Sequence, residues 1–325
     1  QFEYNSEGGI MINVNNTAKS ALIIIIFTLG SKFLGFIREV LIAARFGSGV
    51  NTDAFFISLT ATGMITDFLR NSISMTFIPI LSEIEQKEGK RGKIKHINNI
   101  VNVIFAVSIV FVVLGLISAP LIVKILAKGF TGKQFYIAVK LTRMGMPMIL
   151  FSGINGVIIG YLNSEQRFVS SSAIGLSYNL VYIFYLLFLS LKFGINGLMI
   201  AAVVAVISQL LIQLPEIKKI GFEYKFTLDL KSEYVKKLLH LSIPVLIGVA
   251  INDLNVIVDK TLASSLISGS ISALNYAYKL NNLILGVFIS AITTVVFPLL
   301  AKEFNNNNIV GMKKIMEYGV NLILL

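Results

Sequence analysis

A chain of 325 residues that is 55% hydrophobic and only 14% charged, with a mean hydropathy of +0.79, lies outside the soluble globular range, where about a quarter of residues are charged. It reads as a membrane protein; without cysteine, and with only His96 and His240 beside lysine clusters, disulfides, thiolate metal sites and histidine chemistry are not indicated. The net charge of +11 has its usual cause in loop lysines facing anionic lipid, not in nucleic acid.

Residues 1–16 form a polar, acidic tail without the basic region or cleavage site of a signal peptide, and Met11 is a candidate start within it. A spanning helix needs about 20 mostly apolar residues, which predicts crossings at 18–46, 53–84, 97–126, 134–162, 168–191, 194–216, 235–265, 271–302 and 311–325. Residues 17–217 are then a lobe of six transmembrane helices and 218–234 a cytoplasmic linker. Residues 235–325 are the start of a second lobe with helices 7, 8 and part of 9.

The breaks between crossings alternate in character. "SEIEQKEGKRGKIKH", "NSEQRF", "PEIKKIGFEYKFTLDLKSEYVKK" and "AKEFNNNNIVGMKK" are rich in lysine; "GSGVNT", "AKGFTGKQ", "KFGIN" and "SSLISGSIS" hold only Lys128, Lys133 and Lys192. The positive-inside rule places the first set, and the N-terminus, in the cytoplasm.

A weak repeat runs through the chain at an offset of about 220 residues: "EVLIAA", "SG" and "TFIPIL" at 39–81 correspond to "DKTLAS", "SG" and "VVFPLL" at 259–300. Helices 7 and 8 thus restart the pattern of helices 1 and 2 in the same orientation, as in transporters built of parallel halves. The fold class expected is an all-α polytopic membrane protein with two parallel six-helix lobes, the second incomplete in this chain.

Inside or at the edges of the spans stand Arg38, Glu39, Asp53, Asp67, Arg70, Lys140, Arg143, Asp253, Asp259, Lys260 and Lys279. Charge at mid-bilayer costs about 2.5–3.5 kcal/mol per group even on lenient scales, so such residues face a bundle interior or a wet cavity. Lys140, Arg143 and Lys260 read instead as side chains reaching back to the interface. A cavity lined with arginine and lysine suits an anionic, phosphorylated cargo, because Arg grips phosphate in bidentate fashion. Glu39 would compensate Arg38 in an empty cavity or be its structural partner. Pro79, Pro120, Pro147, Pro244 and Pro298 mark expected bends. No Walker loop, GxSxG elbow or HExxH motif is present, so the chain does not read as an enzyme.

"SKFLGFIREVLIAARFGSGVNTDAFF", "FIPILSE", "YLNSEQRF", "QLPEIKKIG", "VDKTLASSLISGSISALNYAYKL" and "FPLLAKEF" together resemble the lipid II flippases of the MurJ (MviN) type, in the multidrug/oligosaccharidyl-lipid/polysaccharide (MOP) exporter superfamily. The resemblance runs in order from about residue 20 to 305. It implies substrate-binding roles for Arg38 and Glu39 of the first-helix motif, Asp53 of "TDAFF", Lys32, and Lys279 where arginine is common. Paired arginines of the second helix have no match; "TDFLRN" stands there, with Arg70 as the substitute. Asp259 matches an aspartate that helps bind sodium in some members, with partner helices expected beyond residue 325.

The resemblance thus implies a flippase of the bacterial cytoplasmic membrane. It would move an undecaprenyl-pyrophosphate-linked saccharide, lipid II first among candidates, by alternating access, with membrane lipids as its other partners. The rivals are a capsule or exopolysaccharide flippase, a cation-coupled drug exporter, whose cationic cargo a basic cavity would repel, and a membrane scaffold.

Overall fold

The structure, a computed structural model, describes Glu3–Tyr4, Ile10–Met11, residues 14–305 and residues 308–324. Two-residue strands β1 (Glu3–Tyr4) and β2 (Ile10–Met11) pair antiparallel, and the other regular structure among the described residues is helical. Helix α1 (Val14–Phe46) ends at Gly47 in the left-handed region, φ +63, a conformation that glycine adopts without penalty. Helix α2 (Val50–Leu126) follows after a short turn.

At 77 residues, α2 is far too long to be one membrane helix. Gly89, at φ 68 and ψ −173, divides it into two arms. Lys93 meets Glu85 at 2.8 Å and His96 meets Glu88 at 3.0 Å, partners that a straight helix would hold about 12 Å apart along its axis. The expected crossings at 53–84 and 97–126 are these arms. Helices α3 (Gly132–Gly145) and α4 (Pro147–Ser164) form the fourth crossing. Pro147 has no N–H to donate and stands at the first position of α4, which breaks the helix there.

Short helices α5 (Phe168–Ser172) and α6 (Ile174–Phe184) lead through a π-turn at Tyr185–Leu189 into α7 (Ser190–Lys219). Gly194, φ 56, interrupts α7, and its carbonyl accepts a bond from the Tyr185 hydroxyl at 2.6 Å. Helices α8 (Glu233–Ser264), α9 (Ser270–Asn305) and α10 (Ile309–Leu324) complete the chain. Among the described residues, Thr76–Leu126, Gly132–Ser164 and Phe168–Lys219 are long and apolar enough to cross a membrane. Non-helical torsions inside α2 and α7 fall at Gly89 and Gly194, not at Pro79, Pro120 or Pro215. Of the prolines expected to bend the chain, Pro147 coincides with a helix boundary, Pro79, Pro120 and Pro244 lie inside helices, and the Pro298 side chain is outside the described residues.

The chain divides into two compact units, residues 1–274 and 275–325. In the first, α4 is the central element, packed on both arms of α2 and on α7, with α1 against α6 and α8 against α2. The core follows helical spacing: Leu69, Ile73, Phe77, Ile80 and Ile84 on the first arm face Ile149, Val157 and Tyr161 of α4 in one buried cluster. Close approach of α4 requires small residues; a Cβ on Gly156 would lie 3.2 Å from the Arg70 backbone, and one on Gly160 would lie 2.8 Å from the Phe77 ring. Outward, Val110, Leu114, Ile117 and Leu121 form an exposed apolar stripe on the second arm, anomalous in water but required where lipid is the solvent.

Within the first unit, contacts join three of the lysine-rich breaks to one another and three of the other breaks to one another. At the lysine-rich end, Lys93 bridges to Glu165 at 2.5 Å, Arg167 to Glu216 at 3.4 Å, and Lys237 to Glu83. At the other, Gly129 N donates to Ser264 Oγ at 3.0 Å and Thr261 Oγ1 to the Ile125 carbonyl at 3.0 Å.

Candidate functional site

Arg38 lies about two turns before the end of α1 and is held between that helix and α6. Its guanidinium pairs with Glu39 at 2.7 Å and donates to Asn179 Oδ1 at 2.9 Å. It lies 5.1 Å from the Tyr182 ring centre and 5.5 Å from that of Tyr178, within cation–π range. Asn179 in turn donates to the Ser31 carbonyl at 3.0 Å; Ser31 is seven residues from Arg38, on the same face of α1. The Arg38 side chain is 15% exposed and that of Glu39 9%. Burial of a charge this deep needs such a complete set of partners. One acceptor is left over: Glu39 Oε2 is buried without a hydrogen-bond partner.

Asp53, in the first turn of α2, is 2% exposed and engages the first turn of α9. Its carboxylate accepts bonds from Gly269 N at 2.6 Å, Ser272 N at 2.8 Å and Ser272 Oγ at 2.5 Å. Free N–H groups at a helix start attract a carboxylate, and here the carboxylate comes from another helix. Gly269, at φ +98, brings the α8–α9 turn against Ser48 of the α1–α2 turn. The two "SG" turns related by the repeat therefore meet. Both Asp53 oxygens are engaged, so it serves as a tie between the α1–α2 turn and the start of α9 in this arrangement.

Arg70 is held on its own helix by Asp67 at 2.7 Å, both partly exposed, and Asp253 of α8 lies within electrostatic reach of Asp67. Lys32 is half-buried on α1, on the face that carries Glu39. Lys279 is exposed on α9, in the second unit. Asp259 is exposed on α8. No cluster of three or more acidic, histidine or cysteine side chains is present among the described residues, and a hard cation needs several oxygens. Lys140 and Arg143 are exposed, whereas Lys260 is 7% exposed.

Other polar groups escaped the sequence reading. Tyr178, Asn179 and Tyr182 complete the Arg38 cage; the signal was an i, i+4 tyrosine pair flanking an asparagine inside an apolar helix. Lys93 is 1% exposed, between Glu85 and Glu165 and 5.8 Å from the Tyr161 ring centre. Asn98, Asn99 and Asn102 hold the connection before α8: their amides donate to the carbonyls of Glu223, Asp229 and Thr227, each at 2.9 Å. Asp229 N returns a bond to Asn99 Oδ1 at 2.6 Å, and the Tyr224 hydroxyl donates to Asn102 Oδ1 at 2.7 Å.

A family model described as lipid II flippase MurJ matches residues 42–325. The chain belongs to the lipid II flippase MurJ family. A probable lipid II flippase MurJ of Buchnera aphidicola subsp. Baizongia pistaciae is 30% identical over 315 residues, 95% of this chain and 61% of that protein. The lipid II flippase MurJ of Burkholderia cenocepacia is 27% identical over 319 residues, 95% of this chain and 62% of that protein. The chain thus spans about three-fifths of these MurJ relatives. A solved lipid II flippase MurJ in an inward closed conformation superposes with a TM-score of 0.74 at 24% identity, covering 93% of this chain and 63% of that one. An inward-facing multidrug resistance MATE transporter of the MOP superfamily gives 0.72 at 11% identity, covering 93% and 69%. The fold is that of the MOP exporters, and MurJ family membership with these apolar helices makes this a membrane protein of the bacterial inner membrane. Within the MurJ family match lie Asp53, Arg70, Asp259 and Lys279; Lys32, Arg38 and Glu39 precede it.

Proposed function

We propose that the protein carrying this chain moves lipid II, a polyprenyl-pyrophosphate-linked saccharide, from the inner to the outer leaflet by alternating access, with the lysine-rich end and the N-terminus in the cytoplasm. The observation that carries it, in a chain of the MurJ family, is a single arginine deep inside the first lobe, held ready by a carboxylate, an amide and two tyrosines. A guanidinium in that cage exchanges a bond to a neutral amide oxygen for one to a pyrophosphate anion, and Glu39 Oε2 is an acceptor for a cargo hydroxyl or bound water. The Asp53 tie to α9 is a bond set that closes one end and must break when that end opens. An ion gradient or the membrane potential would drive the cycle; a sodium role for Asp259 needs further oxygen ligands.

A second reading, a flippase for another polyprenyl-linked saccharide, draws on Arg70, which Asp67 holds in place of the arginine pair common in the family. Depletion of the full-length protein separates the two. Lipid II accumulating in the inner leaflet, with rescue by the wild type and not by the Arg38→Ala, Glu39→Ala double variant, which leaves no orphaned carboxylate, supports the first. Accumulation of a different lipid-linked saccharide, with lipid II export unchanged, overturns it in favour of the second.

A further inference from the structure

At the lysine-rich end, the second arm of α2, α4 and the end of α7 enclose a cavity of about 380 Å³, within the range of ligand pockets. It shares no residue with the Arg38 cage. Its floor is one face of α4, where Ile154, Ile158 and Tyr161 recur at helical spacing. Phe222 and Tyr224, from the connection tied down by the asparagines, close its end. The lining is otherwise aliphatic except for Lys218.

Three features select an occupant. Leu214, 42% exposed, lines the cavity one turn before Lys218, beside the exposed Leu211 of α7, so the mouth opens on an apolar outer surface that faces lipid. Lys218 is exposed and has no ion-pair or hydrogen-bond partner among the described residues, while its neighbours Lys219 and Arg167 share Glu216. Tyr161, 2% exposed, has a buried hydroxyl with no partner. A donor left unpaired in such a place costs free energy unless something else accepts from it.

An apolar slot reached from the lipid side, with a free ammonium at its rim, has the parts of a phospholipid in order: chain, then phosphate. We propose that this cavity binds an acyl chain of an anionic phospholipid, with the headgroup phosphate at Lys218 and the Tyr161 hydroxyl left to donate to a glycerol-ester oxygen. Its placement in the cytoplasmic leaflet, where anionic lipid attracts basic side chains, rests on the membrane orientation proposed above. Since Phe222 and Tyr224 form one wall, a bound lipid also props the connection before α8 against α4.

The test uses the full-length protein, delipidated in detergent and re-equilibrated with phosphatidylglycerol or phosphatidylcholine carrying a photoreactive acyl chain. Adducts are then mapped. Phosphatidylglycerol should label the segments 154–161 and 214–224 about fivefold more than phosphatidylcholine, the factor one lysine supplies. Lys218→Gln, a surface change, should bring the two lipids level. Ile158→Trp, which fills the slot, should cut both by about tenfold, with thermal unfolding checked to confirm the fold. Equal labelling by both lipids in the wild type, an unchanged preference in Lys218→Gln, or adducts confined to other segments would overturn the assignment. So would displacement of phosphatidylglycerol by equimolar undecaprenyl phosphate, which would give the slot to an isoprenoid tail. The measurement involves neither transport nor orientation, so its failure and that of the flippase proposal are separable.

Discussion

Glu39 decides what a mutation at Arg38 can reveal. One of its oxygens is already without a partner and the other is held by Arg38 alone. Arg38→Ala therefore leaves a buried carboxylate unpaired, a loss of about 3–5 kcal/mol, and thermal unfolding should register it. Arg38→Ala combined with Glu39→Ala removes the orphaned charge and should recover most of that stability. If Arg38 also contacts cargo, the stable double variant should still fail to support growth of a strain that depends on the full-length protein. Arg38→Lys should be intermediate in growth, since an ammonium keeps the charge but loses the fork that spans Glu39 and Asn179. Growth of the double variant with unaltered cargo binding would refute the cargo role and leave Arg38 purely structural. Asp53→Asn is a different kind of change. It turns an amide N–H toward the N–H groups of Gly269 and Ser272, and losing charge-assisted bonds should cost about 1.5–3 kcal/mol. An unshifted unfolding temperature would show that the tie contributes nothing.

At the scale of the element, what the sequence disclosed and what it hid follow from sequence separation. Helices declared themselves because apolar runs and polar breaks are local: expected crossings at 168–191 and 194–216 meet at Gly194, and Pro147 breaks the fourth crossing by a rule read from one residue. The candidate site was half legible. Arg38 and Glu39 stood out as charge in an apolar run, but the cage partner Asn179 is 141 positions away, and nothing near it announces the pairing. Asp53 was visible as a helix-start acid, yet the helix it serves is α9, 216 residues on. Asn98, Asn99 and Asn102 looked like ordinary interfacial polar residues because their partners are backbone carbonyls, which carry no sequence signal. Those asparagines give a direct test. Each bond contributes about 1 kcal/mol and Asn99 makes two, one to the Asp229 carbonyl and one from Asp229 N, so Asn99→Ala should raise the rate of tryptic cleavage at Lys225 and Lys231 by roughly thirtyfold through easier local opening. An unchanged rate would mean that the connection is held by its apolar contacts instead.

For the molecule as a whole, orientation and fold can be tested separately, because the loops sort in two independent ways. Lysine content sorts them by the positive-inside rule, whereas contacts sort them by which loops touch. For the six loops with contacts among the described residues, both give the same grouping. Four single-cysteine variants of this cysteine-free chain use that agreement: Gly49→Cys and Ile267→Cys in the turns that meet near Asp53, Lys90→Cys and Lys225→Cys at the other end. A side chain at Gly49 meets nothing within 4 Å, Ile267 is 85% exposed, and Lys90 and Lys225 are exposed, so all four should react once reagent reaches them. The contacts require co-labelling by an impermeant maleimide, 49 with 267 and 90 with 225, whichever way the protein is inserted. The lysines then fix the direction: 49 and 267 should label in intact spheroplasts, and 90 and 225 only after lysis. The reverse pattern would overturn the orientation and keep the fold. Labelling of 49 without 267 would count against the meeting of the two turns, and with it the tie through which Asp53 holds α9.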